Sequence, residues 1–183
     1  NKVITSGGGG IILVKNQQIE KKIRYIINQS KDDTLYYKHN NLGFNMSMTN
    51  LHGSIAFSQL QKLEKIIKIK NKINLFYNKN IKKIKGLNIL GSPKNTKSNF
   101  WLNILEIDAK IYGKNKTKVI HDFLKNQINV RSVWYPNHKQ KFLKKYQSYK
   151  ITNAIKKYNS SICLPSGPGL KIKDLKKILL ILK

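Results

Sequence analysis

Lys2 and the four glycines Gly7, Gly8, Gly9 and Gly10 are the residues whose types and spacing bear most directly on chemistry. A lysine amine condenses with an aldehyde to a Schiff base. A glycine run takes positive φ without Cβ strain and lets another backbone or a ligand approach closely. Lys2 opens the segment NKVITSGGGGIILV, in which two apolar stretches flank the glycines. That pattern predicts a hairpin, or a strand and its return. An amine at the mouth of such a pair is a place to hold a carbonyl cofactor covalently. The plain alternative is a solvated surface lysine whose stem covers apolar neighbours.

Around that segment the sequence sets out the elements that must position it. Asn16 can cap a helix whose Ile19, Ile23, Ile26 and Ile27 fall on one face, opposite Glu20, Lys21, Lys22 and Arg24. Periodicity stops over residues 30–50, SKDDTLYYKHNNLGFNMSMTN, a loop long enough to be functional or disordered. Tyr36, Tyr37, Phe44 and Gly43 argue for a packed loop that places polar groups in a site. A second helix is predicted from about residue 51 towards 76, with Ala56, Leu60, Leu63 and Ile67 in one stripe. It continues or bends through a lysine- and asparagine-rich passage towards Ile84. Residues 89–98, with Gly91 and Pro93, read as the connection between two domains. Beyond them, strand-like 100–107, 129–134 and 161–164 alternate with helical 116–127, 153–158 and 172–182. A small α+β layer is expected, with Val119, Ile120, Phe123 and Leu124, then Ile172, Leu175, Ile178, Leu179 and Leu182, facing inward.

With 183 residues the chain can bury one good core or two small ones. It begins at Asn1 without an initiator methionine or a signal-peptide pattern, and is expected to be part of a longer polypeptide. Its longest apolar run, residues 178–182, falls far short of a bilayer span, so no membrane role is expected. The lone Cys163 makes no disulfide framework and no Cys/His spacing suits a metal, so no metal is expected and the compartment is read as the cytoplasm. The formal net charge of +28 invites a nucleic-acid reading. Against it, Arg24 and Arg131 are the only arginines, whereas paired bonds to bases and phosphates favour the planar guanidinium. The lysines spread along the whole chain among Asn and Ile, as a low-GC coding bias lays them over an ordinary fold. Specific nucleic-acid binding is therefore not expected, and any affinity for polyanions would be non-specific and salt-sensitive.

Lys2, the glycine run, the capped helix, the loop YYKHNNLGFNMSMTN and then Gln59, Leu60, Lys62 and Leu63 follow one another in an order that resembles the DegT/DnrJ/EryC1/StrS aminotransferases. These are pyridoxal-phosphate enzymes that aminate keto-sugars on nucleotide carriers. NFWLNIL at residues 99–105, INVRSVWYPNH at 128–138 and ICLPSGPGL at 162–170 agree, so the resemblance covers essentially the whole chain. Asn1 and Lys2 with TSGGGG look most like the branch acting at C4 of UDP-linked 4-keto-6-deoxy-N-acetylhexosamines, of the bacillosamine and legionaminic type. The resemblance implies an α/β chain forming the C-terminal part of a fold-type I PLP-dependent transferase. Residues 1–88 would end the cofactor-binding large domain, with hairpin, helix, active-site loop and long helix; residues 89–183 would form the small C-terminal α+β domain.

By the same resemblance Lys2 is the Schiff-base lysine, both catalytic and cofactor-binding. Displaced by a substrate amine, its ε-amine is left as a base that carries protons in both half-reactions. A relative that dehydrates sugars has His here, so Lys favours transamination. The Asn of the family's Gly-aromatic-Asn loop reaches the cofactor phosphate of the neighbouring subunit, which points to Asn45 and implies a homodimer with shared active sites. The other reading of Asn45 is a turn residue. His39, Arg131, Trp134 and His138 are the substrate-side candidates. Arg131 suggests a position where a point charge will not do: a guanidinium clamps a diphosphate or a donor carboxylate, unless it forms a structural ion pair. His39 and His138 have the alternative of hydrogen-bonded packing, and His52 and His121, on predicted helices, are assigned no role.

Met46 and Ser47 stand where many relatives carry an aromatic and Arg, and Gly53 and Ser54 replace a small apolar pair. The family's pyridine-nitrogen Asp, ring-stacking aromatic and phosphate-binding segment lie upstream of the lysine, outside this sequence. The implied activity is pyridoxal-phosphate-dependent transamination of a nucleotide-linked 4-keto-6-deoxy sugar with glutamate as amino donor, in surface polysaccharide or glycan sugar synthesis. The isolated 183 residues are expected to be inactive. A related sugar 3-aminotransferase is one alternative. An inactive basic α/β piece that binds polyanions or a partner chain is the other.

Overall fold

The computed structural model describes residues 2–183. They form two units: residues 2–3 with Glu64–Lys183, and Ile4–Leu63. The division falls at residue 63 and not at the expected 88. The reason is α3 (Leu63–Ile81), whose Ile73, Tyr77 and Ile81 are buried in the same core as the C-terminal sheet.

In the larger unit β1 (Leu87–Ile89), β2 (Asn103–Ile107), β3 (Arg131–Ser132) and β4 (Ser161–Leu164) form one antiparallel sheet in the order β1-β2-β4-β3. The period of two writes its faces. Leu87 opposes Ile107, Ile89 opposes Leu105, and Leu105 opposes Ile162, all buried. The same core takes Val119 and Phe123 of α5 (Lys116–Lys125) and Leu175, Ile178 and Leu179 of α7 (Ile172–Ile181). The alternate positions put Asn88 beside Glu106, and Ile104 and Arg131 on either side of Cys163. Lys157 of α6 (Thr152–Ser160) pairs with Glu106. Leu124 and Ile172, expected inward, are 50% and 57% exposed.

Polar bonds stitch α3 to the turn after β4. The Tyr77 hydroxyl donates to the Pro165 carbonyl at 2.9 Å, and the buried Lys70 amine donates to the Ser166 carbonyl at 2.6 Å. Asn74 donates to the buried Asn103 amide oxygen at 2.8 Å, and Asn103 donates to the Ser166 hydroxyl at 2.9 Å. Burial pushes the Lys70 amine below its ordinary range and the Tyr77 hydroxyl above its own. A short α4 (Ala109–Tyr112) was not expected. Asp108 caps it, Gly113 closes it at φ +81°, and Tyr112 donates to the Leu182 carbonyl at 3.0 Å.

The smaller unit holds α1 (Gln17–Ile27), the polar loop and α2 (Asn50–Gln61). Asn16 caps α1 as its position predicts, accepting from the Gln18 and Ile19 amides. Two expectations fail here. The hairpin over residues 2–14 does not form: Thr5 and Ser6 bond locally to Gly7 and Gly8, Gly7 and Gly9 take positive φ, and Ile11, Ile12 and Leu13 are 82%, 65% and 90% exposed, with no strand opposite them among the described residues. The long helix is also interrupted, because the Lys62 amide turns back to the Gln59 and Leu60 carbonyls and ends α2; Leu60, in the expected stripe, is exposed. Among the described residues of this unit only Ser30 is fully buried. No described helix is long and apolar enough to cross a membrane.

Candidate active site

The candidate residues fall into two groups, one in each unit. In the larger unit Lys2 is exposed, and its Nζ lies 4.1 Å from the centroid of the Trp101 ring. Trp101 in turn lies 5.6 Å from Trp134, the rings inclined at 45°. The structure thus gathers Lys2 and Trp134, two residues the sequence singles out, through one that it does not. Trp101 sits inside the NFWLNIL motif, and it is one of only two tryptophans in the chain. Its rarity was the available signal; its nearness to residue 2 was not legible.

Arg131 opens β3 on the sheet face opposite the core, in register with Cys163, and its side chain is exposed. Among the described residues its guanidinium pairs with no carboxylate, so the structural ion pair does not occupy it. His138 lies half-buried in a 3-10 turn, Asn137–Lys139. Between these candidates Tyr135 meets Tyr158 edge to face at 5.3 Å, and Lys116 lies 3.9 Å over the Tyr158 ring while donating to Ser132 at 3.0 Å. Burial lowers the Lys116 amine, which serves this packing.

Asn45 and His39 belong to the loop of the smaller unit, and the end of α1 fixes both. The Phe44 and Met46 amides donate to the Ile26 and Ile27 carbonyls at 2.7 and 2.9 Å, satisfying acceptors that the helix terminus leaves open. The Gln29 amide returns a bond to the Phe44 carbonyl at 3.0 Å. Asn45 is therefore held by its backbone while its side chain stays exposed. Gly43 is required here, since a Cβ would overlap the backbone at Gln29 and Ser30. The His39 Nδ1–H donates to the Gln29 carbonyl at 2.8 Å, which orients the ring and leaves Nε2 unused by that bond. Asp32 organises the same loop, accepting from Tyr25 and from the Asn40 amide at 2.6 Å. His52, assigned nothing from sequence, lies against Gly7 and Gly8, with its Nδ1 3.0 Å from the Thr49 hydroxyl.

Taken one at a time, Lys2 and Asn45 carry groups whose chemistry suits an aldehyde and a phosphate. Lys2 offers an exposed amine in no ion pair among the described residues, open to condensation with an aldehyde. Asn45 offers an exposed amide N–H of the kind that binds a phosphate oxygen.

Residues 1–183 match the DegT/DnrJ/EryC1/StrS aminotransferase family. EpsN of Bacillus subtilis (strain 168), which carries the name of a pyridoxal phosphate-dependent aminotransferase, is 23% identical over 186 residues, covering 100% of this chain and 47% of EpsN. GDP-perosamine synthase of Vibrio cholerae is 28% identical over 181 residues, covering 97% of this chain and 48% of its own length. The chain thus spans about half the length of the curated relatives it matches. Among solved structures, the aminotransferase TlmJ from Streptoalloteichus hindustanus superposes with a TM-score of 0.85 at 14% identity, over 98% of this chain and 48% of TlmJ. The fold is accordingly the mixed α/β fold of a fold-type I sugar aminotransferase over that part of its length.

Proposed function

Because the chain belongs to the DegT/DnrJ/EryC1/StrS aminotransferase family, we propose that it works as part of an enzyme that transfers an amino group from glutamate to a nucleotide-linked 4-keto-6-deoxy sugar. The product serves surface polysaccharide or glycan synthesis, and the reaction uses pyridoxal phosphate. The observation that carries this reading is an exposed Lys2 amine at the head of the family match, free of any ion pair among the described residues.

Pyridoxal phosphate, when bound, supplies the electron sink that lets the C–H bond beside the exchanged nitrogen break. Lys2 would hold the cofactor through its Nζ, and the same atom, as a free amine, would take up and return a proton. Asn45 donates its amide N–H to the cofactor phosphate of a second copy of the chain, so the working unit is a homodimer. Arg131 holds the diphosphate of the nucleotide sugar or the carboxylate of the donor with two parallel N–H bonds. Trp134 and His138 serve the substrate beside it in the larger unit, and His39, in the loop of the smaller unit, is a separate substrate-binding candidate. A relative named for a GDP-linked sugar supports a nucleotide-carried substrate.

The test uses the complete enzyme, of which this chain is about half by comparison with its relatives. Borohydride treatment with the cofactor bound is expected to label Lys2, and a UDP-4-keto sugar with glutamate to be turned over. Label on another lysine, or on none, overturns the assignment. The isolated chain is expected to show no stable absorption band with added pyridoxal phosphate, since the pyridine-nitrogen and stacking partners lie outside it.

A further inference from the structure

We propose that Trp101, flanked by Trp134, is the positioning residue for the Lys2 amine. This rests on the reading of Lys2 as the cofactor-binding lysine and adds the group that holds it before the cofactor arrives. The Lys2 Nζ lies 4.1 Å from the Trp101 centroid, inside the roughly 6 Å over which an indole face attracts an ammonium. Trp134, 5.6 Å away and tilted by 45°, limits the swing of that ring.

The backbone that presents Trp101 is itself unusual. Phe100 takes φ +52°, a left-handed conformation that a bulky side chain rarely adopts. Two side-chain bonds hold it there: the Phe100 amide donates to Ser98 Oγ at 3.0 Å and the Trp101 amide to Asn99 Oδ1 at 3.0 Å. Two residues on, Asn103 is buried and bonded to Ser166, so the turn is anchored to the sheet. Strained segments held by several bonds gather at sites where a side chain must point one way. A lysine has four rotatable bonds and a large side-chain entropy. An aromatic face that holds its charged head confines the amine near the place where it must react.

The test is made on the 183-residue chain without cofactor. Lysines are acetylated with an N-hydroxysuccinimide ester, and the ratio of label on Lys2 to label on exposed Lys15 is read by peptide mass spectrometry. Trp101→Leu is expected to raise that ratio about two- to five-fold, the factor an exposed cation–π contact is worth. Trp101→Phe, which keeps an aromatic face, is expected to move it back towards the parent value. An unchanged ratio in Trp101→Leu overturns the proposal. A second readout does not depend on that variant folding. Trp101 and Trp134 are the only tryptophans, so the indole emission reports on this cluster alone. Lys2→Met is expected to change the emission and Lys15→Met to leave it; no change with Lys2→Met overturns the proposal. Neither measurement contains cofactor. Their failure removes the role of Trp101 and leaves Lys2 assigned, whereas borohydride label on another lysine removes the assignment of Lys2.

Discussion

Lys2 and Arg131 have different demands on their chemistry, and single substitutions separate them. Lys2→Arg keeps a cation for the Trp101 face but cannot condense with an aldehyde. In the complete enzyme it is expected to lower turnover by about 10²–10⁴-fold, the span typical of losing a proton-transferring group, while calorimetry still shows sugar-nucleotide binding. Arg131→Lys replaces a planar fork by a point charge, and is expected to raise the KM for the nucleotide sugar roughly tenfold with little change in kcat, about the worth of one charge-assisted hydrogen bond. Cys163, half-buried in β4, has its thiol pushed above the usual range by burial. At pH 8 it is expected to react with iodoacetamide more slowly than free cysteine, and to reach the free rate in urea. At this scale the sequence offers type and rarity, and those are the grounds on which Lys2 and Arg131 are proposed. It was silent where proximity mattered: nothing in NFWLNIL says that Trp101 meets residue 2.

The helices were legible where a side chain caps them. Asn16 announces α1, and the Asp108 and Gly113 that bracket α4 carried the same signal, unused because four residues are too few for periodicity. Apolar content alone misled over residues 2–14, where local Ser and Thr bonds and positive-φ glycines win over a hairpin that has no third strand to lie on. The three-residue β1 is set by pairing with β2, which its own sequence does not encode. Gly86 beside it is fixed by structure: it takes φ +80°, and a Cβ would meet the Tyr112 backbone amide. Gly86→Ala is expected to cost about 1–3 kcal/mol in urea unfolding. Lys70 of α3 gives a pH signature. Burial lowers its amine, so between that lowered value and the ordinary 10.5 the unfolded chain binds more protons and the fold gains stability as pH rises. Comparing urea midpoints with Lys70→Met isolates this from the general relief of lysine repulsion: the parent is expected to gain on the variant as pH climbs from 7 towards 10.

At the scale of the molecule the two units are unequally equipped. Every buried apolar side chain in the described core belongs to the larger unit; the smaller exposes Ile11, Ile12, Leu13, Phe44, Met46, Leu51 and Phe57. Hydrogen exchange on the isolated chain is expected to show slow amides in β2 and β4 and fast ones in α1 and α2, with α1 and α2 protected in the complete enzyme. Uniformly slow exchange would sink that expectation. The stitching of α3 to the turn after β4 has a further consequence. Lys70 bonds a carbonyl 96 positions later, and Tyr77 one 88 positions later. A growing polypeptide on the ribosome therefore has nothing to close its sheet on until β4 and α7 emerge, so premature termination before residue 161 leaves a nascent product fit only for chaperones and proteases.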